Sequence, residues 1–238
     1  MSYFNSLPKV RYLFGSETSA TIFDDISVFA DMLDDIKDVS SYHEKYTIPQ
    51  GERPDQTSFN FYKTTQHYWT FFLINDHIRL QGWPLSSNKL EEKVKKDFPN
   101  TVFTTKSNLT GIFKVGETVA GNVSGNGGKI LKRHLDIGQI VVEGSVAFSS
   151  GETMTSSGGV SVSSTGFSAE HLAIHHYEDS NGNYIDIDPY GTVGSEIVPV
   201  TNIERYTVEN DNLRQINVIK PSFIEQISRG FKQAIRSN

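Results

Sequence analysis

The densest group of ligand-type side chains in the chain is His171-Leu-Ala-Ile-His175-His176. On a helix, His171 and His175 would share a face, the spacing with which two imidazoles hold zinc. The general base of such a site, a glutamate directly after the first histidine, is absent, because Leu172 stands there. The flanking sequence reads as strand, so a partly exposed hairpin is expected rather than a metal site. A second candidate is the glycine-rich run GNVSGNGGK over residues 121–129. It looks like a phosphate loop, but Ile130 replaces the hydroxyl that would meet Mg2+ and the first glycine is misplaced. A glycine-rich β-turn is the better reading. Residues 179–188 carry acids and amides without the ligand order of an EF-hand, and Asp186 and Asp188 alternate on one strand. Glu52 and Asp55 flank a helix start, where a carboxylate usually partners the helix dipole. No G-x-S-x-G elbow occurs. The chain is therefore expected to have no catalytic residues, no metal and no cofactor, and not to be an enzyme.

Composition narrows the partners. The net charge of −6 is spread along 238 residues, and phosphate binding needs a basic face, so nucleic acid is not expected. Cysteine is absent, which removes disulfides and thiolate metal sites and fits a reducing compartment. The first fifteen residues lack the apolar stretch of a signal peptide. No apolar run approaches the roughly 18 residues that span a bilayer. Hydrophobic content of 37% suits two small cores better than one large one.

The elements follow from periodicity. Residues 1–45 read as an arm with anchors at Tyr3, Phe4, Leu7, Val10, Tyr12 and Phe14. A helix over residues 19–36 is predicted from Ile22, Ile26, Phe29 and Leu33, with aspartates on its other face. Tyr46 and Ile48 alternate as a strand, Gly51 turns the chain, and Pro54 opens a helix whose apolar face is Phe59 and Tyr62. A second helix starts near Thr65, pairs Tyr68 with Phe72 and Trp69 with Leu73, and ends at Asn75 and Asp76. Residues 78–80 are predicted as a closing strand, before Gly82, Trp83 and Pro84. A third helix over residues 87–98 buries Leu90, Val94 and Phe98 and solvates its charged face. Gly, Ser, Thr and Val dominate residues 102–199, which predicts β structure. There, Phe113-Lys-Val-Gly-Glu-Thr-Val119 is echoed by Phe148-Ser-Ser-Gly-Glu-Thr-Met154, each before a Gly/Ser-rich turn, suggesting two similar hairpins. Residues 175–188 read as a further hairpin. Leu213, Ile216 and Val218 fit a strand, and Phe223, Ile227, Phe231, Ala234 and Ile235 form the stripe of a final amphipathic helix.

Two resemblances rest on these residues. Tyr46-x-Ile48-x-x-Gly51, Tyr62, Tyr68-Trp69, Asn75 and Trp83-Pro84-Leu85 resemble a LysM module, a strand–helix–helix–strand unit that typically binds N-acetylglucosamine-containing glycans. The Gly-Asp-Thr-Leu usual after its first strand is here Gly51-Glu52-Arg53-Pro54. A closer resemblance is to the baseplate wedge protein 53 family of T-even-type contractile-tailed phages. It is carried by Gly51-Glu-Arg53-Pro54-Asp55, Tyr62, Tyr68-Trp69 with the apolar run after it, Asn75-Asp76 and Gly82-Trp83-Pro84-Leu-Ser86. A second block follows, Glu209-Asn-Asp-Asn-Leu213-Arg214-Gln215-Ile216-Asn-Val-Ile219.

That resemblance implies a structural virion protein of the tail baseplate, assembled in the host cytoplasm in about six copies. It would join neighbouring wedges by contacts with other wedge proteins. The expected fold is α+β: an arm with a helix (1–45), a LysM-like βααβ domain (46–100), a β-rich insertion as a small barrel or sandwich (101–200), and a terminal strand and helix (201–238). Tyr3, Phe4, Leu7, Tyr12 and Phe14 in the arm, and Phe223, Ile227 and Phe231 in the last helix, are the expected partner contacts. The competing readings are a LysM-type peptidoglycan-binding module and a peptidoglycan hydrolase.

Overall fold

The computed structural model describes residues 9–15, 18–24, 37 and 39–237, with side chains through residue 233. Tyr3, Phe4, Leu7, Ile26, Phe29 and Leu33 lie outside the described residues, as do the side chains of Ala234 and Ile235. In chain order the elements are β1 (Lys9–Tyr12), β2 (Thr21–Asp24), β3 (His43–Thr47), α1 (Pro54–Tyr62), α2 (Trp69–Ile74), α3 (Asp76–Gln81) and α4 (Ser87–Asp97). Then come β4 (Thr101–Thr104), β5 (Thr118–Gly121), β6 (Gly127–His134), β7 (Gln139–Val142), β8 (Thr153–Ser156), β9 (Ser161–Ser163) and β10 (Gly166–Ala169). β11 (Ile174–Glu178), β12 (Tyr184–Ile185), β13 (Val198–Thr201), α5 (Asn202–Asn212), β14 (Gln215–Ile219) and α6 (Ile224–Ser237) complete the α+β chain.

Contacts divide the chain into two compact units, Met1–Ser87 with Asn210–Asn238, and Asn88–Glu209. The divisions fall at 87/88 and 209/210, where the sequence suggested 100/101 and 200/201. The difference has a physical source: α4 and α5 pack on each other, with Phe98 edge-on to Tyr206 at 5.7 Å and Lys93 Nζ 5.2 Å from the same ring, so both helices fall in the second unit; β14 pairs with β3 in antiparallel register from Gln215↔Thr47 to Ile219↔His43, which returns the chain's late strand to the first. The closing strand predicted over residues 78–80 is instead α3, because Asn75 and Asp76 restart a helix there. Ile78 is fully buried as its core residue.

In this helix-and-strand unit, α1 begins as its sequence requires. Pro54 occupies the first turn, and the Arg53 N–H donates to Gln56 Oε1 at 3.0 Å, a capping contact. The predicted Phe59–Tyr62 face is half right. Tyr62 packs on the core, whereas Phe59 is 54% exposed, since α1 turns Thr57 and Ser58 inward instead. The core joins Ile48, Phe71, Ile78, Ile216 and Val218, with Tyr46, Phe61 and Trp83 against them. A neighbouring cluster joins Ile74 and Ile219 to Ile224 and Ile227 of α6.

At the start of the chain, β1 and β2 form an antiparallel hairpin from Lys9↔Asp24 to Tyr12↔Thr21. The helix predicted over residues 19–36 is therefore overturned at residues 21–24. Thr21, Ile22 and Phe23 are β-branched or aromatic, types that favour a pleated strand once one is at hand to pair with.

The second unit is built on a seven-stranded sheet in the order β10-β4-β7-β6-β5-β8-β9. The edge strands β9 and β10 are separated in the chain by only Ser164 and Thr165. The two ends of the sheet therefore come close together there, and the sheet curls in a barrel-like way without a β9–β10 ladder to close it. Thr105 Oγ1 donates to the Ser163 carbonyl across that junction at 2.8 Å. Inside lie Phe103, Leu109, Phe113, Val119, Ile130, Ile140, Val142, Met154 and Val162. A separate three-stranded sheet, β12-β11-β13, contains the predicted hairpin of residues 175–188. On α4, Leu90 and Val94 are buried, and the Glu91–Lys95 and Lys93–Asp97 pairs occupy the solvated face.

The sequence echo is a structural repeat. β5–β6 and β8–β9 are hairpins, and they pair through β5 and β8 with Ala120 opposite Thr155. These two residues occupy the same place in the two copies, so a local twofold axis passes between them. Equivalent hydrogen bonds follow the axis. The Asn122 N–H donates to the Thr153 carbonyl at 3.0 Å, and the Ser157 N–H to the Thr118 carbonyl at 2.8 Å. The Thr153 N–H meets Asn122 Oδ1 at 2.9 Å, and the Thr118 N–H meets Ser157 Oγ at 3.2 Å.

Candidate functional site

The residues with catalytic or metal-binding types are held in structural roles. His171 sits in a single 3-10 turn (Glu170–Leu172) and His175 and His176 in β11, so the one-face helical arrangement does not form. His175 Nδ1 lies 2.9 Å from His176 Nδ1, and His176 Nε2 lies 2.8 Å from Glu178 Oε1. Among the described residues, no three His, Cys, Asp or Glu side chains are grouped to hold a metal.

The run that looks like a phosphate loop does cradle an anion, but the anion is the protein's own Glu152. The Val123 and Ser124 N–H groups donate to its Oε2 at 3.0 and 2.9 Å, Ser124 Oγ to Oε1 at 2.9 Å, and the Ser149 N–H to Oε1 at 2.7 Å. Burial by itself pushes the Glu152 carboxyl up, and the hydrogen bonds from Ser124, Ser149 and Val123 outweigh it and hold the group below its usual range. Gly121 must lack a side chain, since a Cβ there would stand 2.3 Å from the Glu152 carboxyl carbon. Sequence reasoning quoted Glu152 only as a letter of the echo. Its signal was that echo, because each copy places a Glu before its strand. Glu117, the counterpart, approaches the other hairpin's turn at Gly158.

Asp179 is likewise engaged. It accepts from the Asn181 and Asn183 N–H groups at 2.8 and 2.9 Å, caps the β11–β12 turn, and is thereby held below its usual carboxylate range. Glu52 Oε1 accepts from Thr57 Oγ1 at 2.6 Å and from the Tyr46 hydroxyl at 3.2 Å, while Asp55 is paired with Arg53. Burial and the Glu52 carboxylate push the Tyr46 phenol up to about 12.

The residues carrying the two resemblances gather into one network. Arg214 is the hub. Its Nη1 donates to the Ile48 carbonyl at 3.2 Å, its Nη2 to Gln50 Oε1 and to the Leu85 carbonyl, and its Nε to Asp211 Oδ1 at 2.9 Å. Gly51 makes the turn beneath it at φ +74°, a conformation L side chains rarely adopt. Trp83 Nε1 donates to the Glu52 carbonyl at 2.7 Å, its ring lies against Phe71 and Phe72, and Pro84 beside it is buried. Asn75 bridges α2 to β14. Its Nδ2 donates to the Phe71 and Asn217 carbonyls, both at 2.8 Å, and its Oδ1 accepts from the Asn217 N–H. The Tyr62 hydroxyl donates to the Ile219 carbonyl at 2.8 Å. Tyr68 is partly exposed at the start of α2.

The expected partner contacts divide. Ile227 and Phe231 are buried against their own chain, and Phe223, half-buried, packs beside the same cluster. Phe231 is 2% exposed and stacks on Trp69, itself 6% exposed, with ring centres 5.2 Å apart. β14 brings the chain back beside α2, whose Ile74 and Trp69 supply the surface that the last helix needs. Tyr12 and Phe14 behave differently, at 56% and 49% exposed. Phe14 packs edge-on with Tyr12 at 4.9 Å and with Phe23 at 5.6 Å, and Val10, Leu13 and Ile22 beside them are exposed too. Sequence reasoning missed Phe23, because a helical period hid the strand.

An open cleft of about 590 Å3 lies beside the β3–α1 turn, lined by Gln50, Gly51, Glu52, Asp55, Gln56, Phe59, Asn60 and Thr65. Comparison with known proteins adds no relative: no family model and no curated protein matches the chain. Among the described residues, no helix is long and apolar enough to cross a membrane.

Proposed function

We propose that the chain is a structural component of the baseplate wedge of a contractile phage tail, acting through protein–protein contacts and not as an enzyme. The observation that carries this reading is the convergence of its two sequence blocks. Leu85 and Asn210, 125 residues apart, exchange hydrogen bonds at 2.7 and 3.1 Å, and Arg214 of the second block donates to the Leu85 carbonyl of the first at 3.3 Å. Two blocks recognised independently in the sequence thus make one scaffold. On this reading β3, α1, α2 and β14 are a LysM-like βααβ unit, with residues 88–209 inserted ahead of its closing strand. It is redirected from sugar to protein because Trp69 is core and Trp83 is held by Phe71, Phe72 and the Glu52 carbonyl.

The partner surface is the β1–β2 hairpin. A two-stranded hairpin is marginal in water by itself, and one presenting an exposed aromatic group gains from burial against a neighbour. Neighbouring wedge proteins are the proposed occupants, with this chain in about six copies around the sixfold tail, within a virion assembled in the host cytoplasm.

Co-expression with the other wedge components tests this. The reading expects the chain to co-purify with the wedge in a fixed ratio; a wedge that assembles completely without it contradicts the proposal. A glycan-binding reading has one observation in its favour, the exposed Phe59 ring among the amides of the cleft. Retention on purified peptidoglycan that Phe59→Ala abolishes would favour it over the wedge reading, and clearing of a cell-wall suspension would favour a hydrolase.

A further inference from the structure

Within the unit Asn88–Glu209, a cavity of about 270 Å3 opens between β6, β7, β11 and α5. That is roughly nine water volumes. Its floor is apolar, formed by the buried Val102, Val141 and Ala173. Its wall carries Lys132, His134, His175 and Arg205, faced by one carboxylate, Glu170.

Glu170 is already satisfied. Its Oε2 accepts from the Asn100 N–H at 3.2 Å and from Asn100 Nδ2 at 2.7 Å. Lys132 Nζ stands 3.7 Å from its Oε1, beyond a hydrogen bond, and the lysine side chain is 58% exposed. Arg205 is positioned by stacking over the Tyr206 ring at 4.9 Å and by a 3.3 Å contact from Nη1 to Glu209. Its Nε is buried, with no hydrogen-bond partner among the described residues. Burial, then Arg205, His176 and His134, hold the His175 imidazole below its ordinary range, against an opposing pull from Glu209.

We propose that this cavity binds a small carboxylate with an apolar body, its head on Arg205 and Lys132 and its body on Val102, Val141 and Ala173. A carboxylate suits the planar guanidinium fork, which donates to two oxygens side by side. The floor has no charge to solvate a second anionic group.

The full chain is titrated with sodium isovalerate and, separately, with inorganic phosphate at constant ionic strength, following the histidine-ring resonances. Isovalerate should give saturable shifts at His134 and His175 and leave His43 and His67 unmoved. Arg205→Lys keeps the charge but loses the fork and should weaken binding by about fivefold. Lys132→Gln, at an exposed position that does not endanger folding, should weaken it by about threefold. No saturable shift up to about 50 mM, equal movement of all seven histidines, or undiminished affinity in both variants overturns the proposal. Phosphate binding as tightly as isovalerate also overturns it, since the apolar floor would then play no part.

Discussion

In the helix-and-strand unit, the core closes through contacts between residues far apart in the chain. β3 pairs with β14, Tyr62 reaches Ile219 and Asn75 reaches Asn217, separations of 157 and 142 residues for the last two. In the barrel unit, closure stays within one continuous stretch and is repeated: two hairpins from one echoed segment pair across a local axis, and Glu152 of one copy pins the turn of the other. The first unit therefore depends on a few long-range polar clamps and cannot complete itself until β14 is available. The barrel needs only its own continuous stretch. Ordering contacts distant in sequence is slow because loop closure must precede the contacts that stabilise it. The barrel should accordingly form first and independently.

The two units can be followed separately, because both tryptophans, Trp69 and Trp83, lie in the first and the barrel has none. The largest effect is expected from Arg214→Ala. It removes a guanidinium serving two carbonyls, Gln50 and Asp211, and should lower the stability of the first unit by about 4 kcal/mol. Urea unfolding followed by tryptophan fluorescence should shift, while the Met154 methyl signal of the barrel core should not. Equal shifts in both signals would break the comparison.

Glu152→Gln should do the reverse, destabilising the barrel by about 2 kcal/mol with tryptophan fluorescence unchanged. The effect should depend on pH in a defined sense. The folded carboxyl is held below its ordinary 4.5, so its contribution is complete above that pH and is lost as pH falls through the folded value. The gap between wild type and Glu152→Gln should therefore narrow in acid. A constant gap would mean that the ionised carboxylate is not what pins the turn.

Legibility followed the range of the interaction. Features set by residues within one turn or hairpin were readable: Pro54 starting α1, the Leu90–Val94 stripe, the turn before Tyr184, and the echo that became two hairpins. Features set across the chain were not. Residues 78–80 are apolar enough for a strand, and nothing nearby reveals that Gln215–Ile219 takes the place beside β3. The stripe of α6 was visible, but whether it faces a partner or its own chain depends on α2, far earlier in the chain, whose Trp69 stacks on Phe231. Of the expected partner anchors, Tyr12 and Phe14 are at the surface, Phe223 is half-buried, and Ile227 and Phe231 are buried.

A smaller effect sharpens the contrast within the first unit. Tyr62→Phe deletes one hydrogen bond to the Ile219 carbonyl without changing shape, and should cost about 1 kcal/mol in the same fluorescence assay. No measurable change would mean that water serves Ile219 equally well.

The smallest expected effect on stability accompanies the largest on assembly. Tyr12, Phe14 and Phe23 are exposed, so replacing all three with Ser should move the stability of either unit by less than about 0.5 kcal/mol. The decisive measurement is wedge reconstitution with this triple variant, its folding verified by unchanged fluorescence and Met154 signals. The account predicts a folded protein missing from the purified wedge. Incorporation at the wild-type ratio would contradict it.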